Sequence, residues 1–511
     1  MSGGETDGKR DGKMTTLGLE DHVVDTDVYD RSVARFRDAK VLLPTFAQLA
    51  GPVDGIPAAV RTALAGVRPD AAHPLNLFRV HWYNGADRAR LATVPGYVAL
   101  PGELTGVEAT IMVAIGARFP MIGSHKVLAA YGCLAPRIIT GQFDPTRHRA
   151  IWPSTGNYCR GGVAISRLLG CRGVAVLPEG MSRERFDWLD GWVSDPSDII
   201  RTPGTESSVK EIYDRCAELA ADPDNVIFNQ FAEFGNHLVH YLVTGGALAA
   251  MFGDMHRADP RLRLRAFVSA SGSAGTLGAG DYLKETHGAA ITAVEASQCP
   301  TMLRNGFGEH NIQGIGDKHI PLIHNVASTD FVAAVSDQAT DHLALLFAEP
   351  AGLSYLRGRR GVSEAVIAAL PLFGLSSICN ILASVKLAKY LDLGPDDVIA
   401  TVATDGASMY GSERARIAAR DFPRGFDEIA AAEAFGRWML GAGTDELLET
   451  TRTDRRRIFD LGYFTWVEQQ GVPVESFAAR WEPSFWTGLR SKTDAWDEMI
   501  RQFNGRTGVT P

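Results

Sequence analysis

From about residue 96 to residue 406 the chain alternates short apolar runs with amphipathic stretches of helix length. The apolar runs fall at 110–116, 149–154, 172–177, 198–202, 225–231, 265–270, 290–295 and 397–403, each the length of a buried strand. Helical stretches such as 160–169, 206–220, 236–252 and 276–288 lie between most of them. This alternation predicts an α/β protein with right-handed crossovers, mainly parallel sheet, and enough strands for two parallel-rich sheet domains with flanking helices.

The flanks read differently. Residues 1–30 are rich in Gly and Asp at their start and predict a disordered head without an apolar signal core. Residues 31–95 form an N-terminal arm that opens on a helix, Arg31–Lys40, and ends in the aromatic cluster Phe78–Tyr83. After about 411 the strand signal stops, and helix formers mix with Trp438, Phe464, Trp466, Trp481, Phe485, Trp486 and Trp496. This predicts a helical C-terminal extension, 411–511, packed on the α/β body or on a second subunit, since large aromatics mostly supply buried area. Between the flanks the expected division is a smaller α/β domain at 96–240 and a larger one at 241–410.

Composition narrows the function classes. A net charge of −9 over 511 residues, with no basic stripe, argues against a nucleic-acid partner. The apolar runs read as too short or too interrupted for a membrane span. The six cysteines (133, 159, 171, 216, 299 and 379) show no metal-ligand or CxxC spacing, which predicts no metal and free thiols in a reducing, cytoplasmic setting.

Three stretches carry candidate chemistry. Gly123-Ser124-His125-Lys126 places an amine at a strand-to-helix turn, where a lysine held near a carbonyl can condense with an aldehyde. Ser271-Gly272-Ser273-Ala274-Gly275-Thr276-Leu277-Gly278 follows an apolar strand and opens a helix, as a phosphate site does. The next strand ends in Glu295, about where a dinucleotide fold places its ribose-binding acid, so a nicotinamide oxidoreductase is a rival reading. Against it, the glycines are spaced GxxGxxG. Ser154-Thr155-Gly156-Asn157, at a third such turn, suits a carboxylate.

Four more segments complete an ordered set: Leu177–Arg185, similar to "MPETMSxER"; Asn229-Gln230-Phe231 with Asn236, His240, Thr244 and Gly245; Ile312–Gly316, reading IQGIG; and Val402–Tyr410. With them the chain resembles the cysteine synthase/cystathionine β-synthase group of pyridoxal-phosphate (PLP) enzymes over roughly 95–410. The resemblance implies PLP fold type II, tryptophan synthase β-like, and a homodimer. It implies that Lys126 carries PLP as a Schiff base and later moves the proton at the substrate Cα. Gly272, Ser273, Ala274, Gly275 and Thr276 would hold the phosphate, and Asn157 would donate to the phenolic oxygen. Ser154, Thr155 and Gly156, with Gln230, would bind the substrate.

The chain departs from the group at three places. Tyr158-Cys159-Arg160 stands where Thr-Gly is usual, Asp317-Lys318-His319 follows IQGIG, and Thr404-Asp405-Gly406 replaces the stretch that supplies a serine to the pyridine nitrogen. Thr404 or Asp405 must then take that role. The implied reaction is β-replacement on a small L-amino acid with a Cβ leaving group. Its alternatives are β-elimination, a serine/threonine dehydratase, a racemase, the nicotinamide enzyme above, and a non-catalytic partner protein.

Overall fold

The computed structural model describes residues 18–316 and 318–510. Eleven strands run in chain order: β1 (Tyr97–Leu100), β2 (Thr110–Ile115), β3 (Arg149–Pro153), β4 (Arg172–Pro178), β5 (Ile199–Thr202), β6 (Asn225–Ile227), β7 (Arg263–Ala270), β8 (Ala290–Ala296), β9 (Phe331–Val335), β10 (Asp397–Ala403) and β11 (Leu447–Glu449). They build two sheets, of order β1-β2-β10-β7-β8-β9-β11 and β5-β4-β3-β6. The small sheet is wholly parallel. The large sheet is parallel from β2 to β9 and closes at each edge with an antiparallel strand. Strands such as Ile111–Ile115 and Val398–Ala403 are buried on both faces, which is why they read as continuous apolar runs without alternation.

Four expectations change. The strand before Lys126 falls within the stretch expected to form the smaller domain, yet β2 pairs with β10, which lies almost 300 residues later, and β1 joins it. Apolarity marks a strand as buried but does not choose its partner. Residues 26–30, expected in a disordered head, begin a helix (Thr26–Asp38) capped by the Asp25 carboxylate, and residues 1–17 lie outside the described residues. The chain from residue 18 is held from a distance: Val24 N–H donates to Thr140 O at 2.8 Å, and Trp496 Nε1 donates to Glu20 O at 2.8 Å. Strand structure also does not end at 411, because β11 pairs with β9.

The fourth change concerns length and apolarity. Phe234–Ala258 is one continuous helical stretch, long and apolar enough to cross a membrane by composition alone, and more than half of it is buried within the protein. Asn236, His237, His240 and Thr244 on it are buried too, so its apolarity is that of a core helix.

The C-terminal extension packs on the α/β body. Trp466 and Trp496 are fully buried and Trp486 nearly so. Trp466 Nε1 donates to Ile320 O at 2.7 Å and Arg480 Nη1 to Leu322 O at 2.6 Å, so the extension braces the chain just after the IQGIG loop. Trp466→Phe keeps most of the buried ring and removes this donor. It is expected to cost about 1–2 kcal/mol, read as a lower denaturation midpoint.

Candidate active site

Lys126 opens the helix Lys126–Ile139 after the turn that follows β2. Its Nζ donates to Ser273 Oγ at 3.3 Å, which joins the lysine turn to the glycine-rich loop. His125 beside it is buried, its Nε2 3.3 Å from Thr404 Oγ1. Burial, and then the neighbouring Lys126 charge, hold this imidazole well below its ordinary value, so it is neutral at pH 7. Its ring packs 5.6 Å from that of Trp82, whose Nε1 donates to Thr244 Oγ1 at 2.9 Å. The N-terminal arm therefore reaches the site. The aromatic cluster at 78–83 is visible in the sequence, but nothing there says what it touches.

The glycine-rich loop leaves the end of β7 and enters the helix Leu277–His287. Ala274 adopts a left-handed φ of 62°, which turns the backbone within the loop. Ser273 Oγ accepts from Asn236 Nδ2 at 3.1 Å, and Ser269 and Thr276 hydroxyls lie 2.8 Å apart. The Gly316 N–H donates to Ser271 O at 2.9 Å, fastening the IQGIG loop alongside. These pieces, with His125, Lys126 and Thr404, line a small cavity that no carboxylate borders. Gly272, Ser273, Ala274 and Thr276 face it, whereas Gly275 backs onto Asn236.

Glu295 is committed to the backbone that follows it. Its carboxylate accepts from the amides of Met302 and Leu303 at 2.9 and 2.8 Å, and it is buried. It caps the helical turn Thr301–Arg304, which removes the ribose-binding acid from the nicotinamide reading.

A second small cavity adjoins the first. Lys126, Gly272, Ser273, Gly314 and Thr404 border both. Its remaining wall includes Ser154, Thr155, Asn157, Gln230 and Glu206. Gly156, at φ 144°, turns the loop after β3, and a Cβ there would lie 2.3 Å from Arg185 Cδ. Only glycine fits, because the guanidinium stem runs directly beneath.

Behind the second cavity lies a buried polar network. Asn157 Nδ2 donates to Asp405 Oδ2 at 2.7 Å, and Tyr410 OH donates to the same oxygen at 2.8 Å. Arg185 Nη2 donates to Tyr410 OH at 3.1 Å, and Arg160 Nη1 to Asn157 Oδ1 at 3.0 Å. Burial, with Arg185 nearby, pushes Arg160 down to about 10. Burial raises the Asp405 carboxyl, with Arg185 pulling the other way.

Of the two residues that could meet the ring nitrogen, Thr404 borders both cavities, while Asp405 faces Asn157 and Tyr410. Arg160 turns its charge toward Asn157 and the Ile122 carbonyl instead of the Ser154–Gly156 loop. Cys159 is buried, donates to Gly156 O at 2.9 Å, and has its thiol pushed up to about 12 by burial, so it is no thiolate. Lys318 is exposed and pairs with Glu309 at 2.6 Å, and His319 meets the Tyr213 hydroxyl at 3.1 Å. Asp317 lies outside the described residues. Glu206, a wall residue here, stands between β5 and a helix and bears no motif that marks it in the sequence.

The family model described as pyridoxal-phosphate dependent enzyme matches residues 118–355. Cysteine synthase B of Campylobacter jejuni is 30% identical over 255 residues, covering 49% of this chain and 74% of that protein. The chain belongs to the pyridoxal-phosphate dependent enzymes. A probable cysteine synthase of Bacillus subtilis is 28% identical over 291 residues, 56% of this chain and 84% of the relative. The O-acetyl serine sulfhydrylase isoform 3 of Entamoeba histolytica shares the fold, with a TM-score of 0.52 at 21% identity, over 66% of this chain and 92% of that one.

The residues present suit the cofactor of this PLP enzyme family. The first cavity offers amides, hydroxyls and a helix N-terminus to a phosphate and no carboxylate to repel it. Gly314 faces both cavities at φ 101°, and an added Cβ there would meet no atom within 4 Å. Among the described residues no group of His, Cys, Asp and Glu is placed to hold a metal ion.

Proposed function

We propose that this PLP enzyme carries out β-replacement on a small L-α-amino acid with a leaving group on Cβ, and β-elimination when no nucleophile adds. One observation carries the reading: the Lys126 amine stands on the shared border of two cavities, one lined by amides and hydroxyls with no carboxylate, the other by the Ser154–Asn157 loop, Gln230 and the buried Glu206 carboxyl. PLP supplies the electron sink, and the protein chooses which bond breaks.

In this reading Gly272, Ser273, Ala274, Gly275 and Thr276 hold the phosphate. Thr404 offers its hydroxyl to the ring nitrogen, which a hydroxyl leaves largely unprotonated. Asn157 spends one amide hydrogen on Asp405 and keeps the other for the phenolic oxygen. Ser154, Thr155 and Gly156, with Gln230, receive the substrate carboxylate. Lys126 takes the Cα proton and the Cβ substituent leaves with its bonding electron pair. A nucleophile, with sulfur as first choice, then bonds to Cβ and the proton returns to Cα. A homodimer in a reducing, cytoplasmic compartment belongs to the same proposal, and the six free thiols support the compartment.

Purified protein tests it. A visible absorbance band is expected to vanish on borohydride reduction, leaving the label on Lys126. O-acetylserine, O-phosphoserine, cysteine and serine are each expected to shift the band, and sulfide to restore it where replacement occurs. A colourless protein that binds a nicotinamide nucleotide, or a coloured one that no amino acid shifts, would overturn the reading.

A further inference from the structure

Glu206 lines the second cavity with Lys126, Ser154, Thr155 and Gln230, yet no role falls to it above. It is 2% exposed, and its Oε2 is buried without a hydrogen-bond partner. Glu233 is held by Arg137 at 2.7 Å, Glu295 by two amides and Asp281 by Asn325 at 2.8 Å; Asp397 and Asp405 also leave one oxygen each without a hydrogen-bond partner, but neither of them lines this cavity. Leaving an acid oxygen unpaired costs stability, so a carboxyl that only filled space would gain by finding a partner. Glu206 instead keeps an open oxygen on the wall of a cavity whose other occupant is the lysine.

We propose that Glu206 is a catalytic residue of the Cβ half-reaction, the acid that protonates the departing group and the base that deprotonates the incoming nucleophile. This rests on the β-replacement reading above. While Lys126 takes the Cα proton, the Cβ–X bond breaks and its electron pair stays on X. The Glu206 carboxyl gives its proton to X, which leaves as HX. The Glu206 carboxylate then takes the proton of HNu as the nucleophile's electron pair bonds to Cβ, and Lys126 returns its proton to Cα. HX is exchanged for HNu, Glu206 ends as it began, and no oxidant or reductant is required.

The surroundings favour the protonated starting state. Burial raises the Glu206 carboxyl to about 7, and Asp405 adds to the rise. Arg185, Thr155 and the Gly314 backbone pull in the opposite direction. Tyr410, whose own phenol is held well above its ordinary value by burial, stays neutral, and Lys126 lies across the same cavity. A carboxyl of this strength can serve a poor leaving group such as hydroxide or thiolate at neutral pH, whereas chloride needs no proton. The substrate class it implies is therefore L-serine or L-cysteine, besides esters with good leaving groups.

The test compares L-serine with β-chloro-L-alanine on the PLP-loaded enzyme. In Glu206→Gln, the ratio of kcat/KM for β-chloroalanine to that for serine is expected to rise about 100-fold. The visible band and its shift on adding L-serine are expected to persist, because they precede departure of the group. In the wild type, kcat for serine should fall as pH rises through about 7, where Glu206 loses its proton, with no such limb for β-chloroalanine. That profile needs no variant and stands even if the substitution impairs folding. Equal losses on both substrates, or one pH profile for both, would overturn the assignment. A wild type that turns over neither, with or without sulfide, would overturn the β-replacement and β-elimination reading, and this inference with it.

Discussion

Lys126→Ala is expected to lower turnover of every accepted amino acid by about 10³-fold or more, because one group is both tether and proton carrier. The fold should survive. Lys126 is the first residue of its helix, and its side chain makes a polar contact with Ser273 instead of filling the core. Circular dichroism and the melting temperature should match the wild type, while the borohydride-sensitive band disappears. An added primary amine should recover part of the activity if the amine alone is missing. Full activity in the variant would show that another lysine carries the cofactor.

The second large effect is on stability. Asp405 is fully buried and is linked to two buried cations, Arg160 through Asn157 and Arg185 through Tyr410. Asp405→Ala removes that charge and leaves both guanidiniums in a low-dielectric pocket without it. Taking one partner from such an arrangement costs about 3 kcal/mol or more. Asn157 also loses the acceptor that fixes its amide, so kcat should fall beyond what stability explains. Asp405→Asn keeps the volume and one acceptor oxygen, and should recover the amide geometry better than the charge balance. Denaturant midpoints and kcat for the two variants separate these effects. Unchanged midpoints in both would mean that the two arginines do not need the charge.

How much was legible in the sequence follows from the kind of information each feature carries. The eight apolar runs correspond to β2 through β8 and β10. β2, β8 and β10 are largely apolar because both faces are buried, while β5 and β6 carry apolar residues though only partly buried. The glycine-rich loop, the Ser154–Asn157 turn and Lys126 were readable because local backbone geometry restricts which residues can occupy them. β1, β9 and β11 lie outside those runs. β9, Phe331–Val335, is as apolar as its neighbours, while β1 and β11 are short edge strands with mostly half-exposed residues.

The sequence by itself determined the chemistry-bearing loops, their order, and the α/β class, because each depends on residues adjacent in the chain. Tertiary structure decided which of them meet. Pairing of β2 with β10 carries Thr404 to His125 and Lys126, and it is set by burial of both strands, which no local pattern encodes. The same holds for Asp405 turning to Asn157, for Trp82 of the arm packing on His125, and for Glu206 entering the cavity wall from the turn after β5. A side chain's type is written in the sequence, but its pKa and its partners come from the groups that folding packs around it.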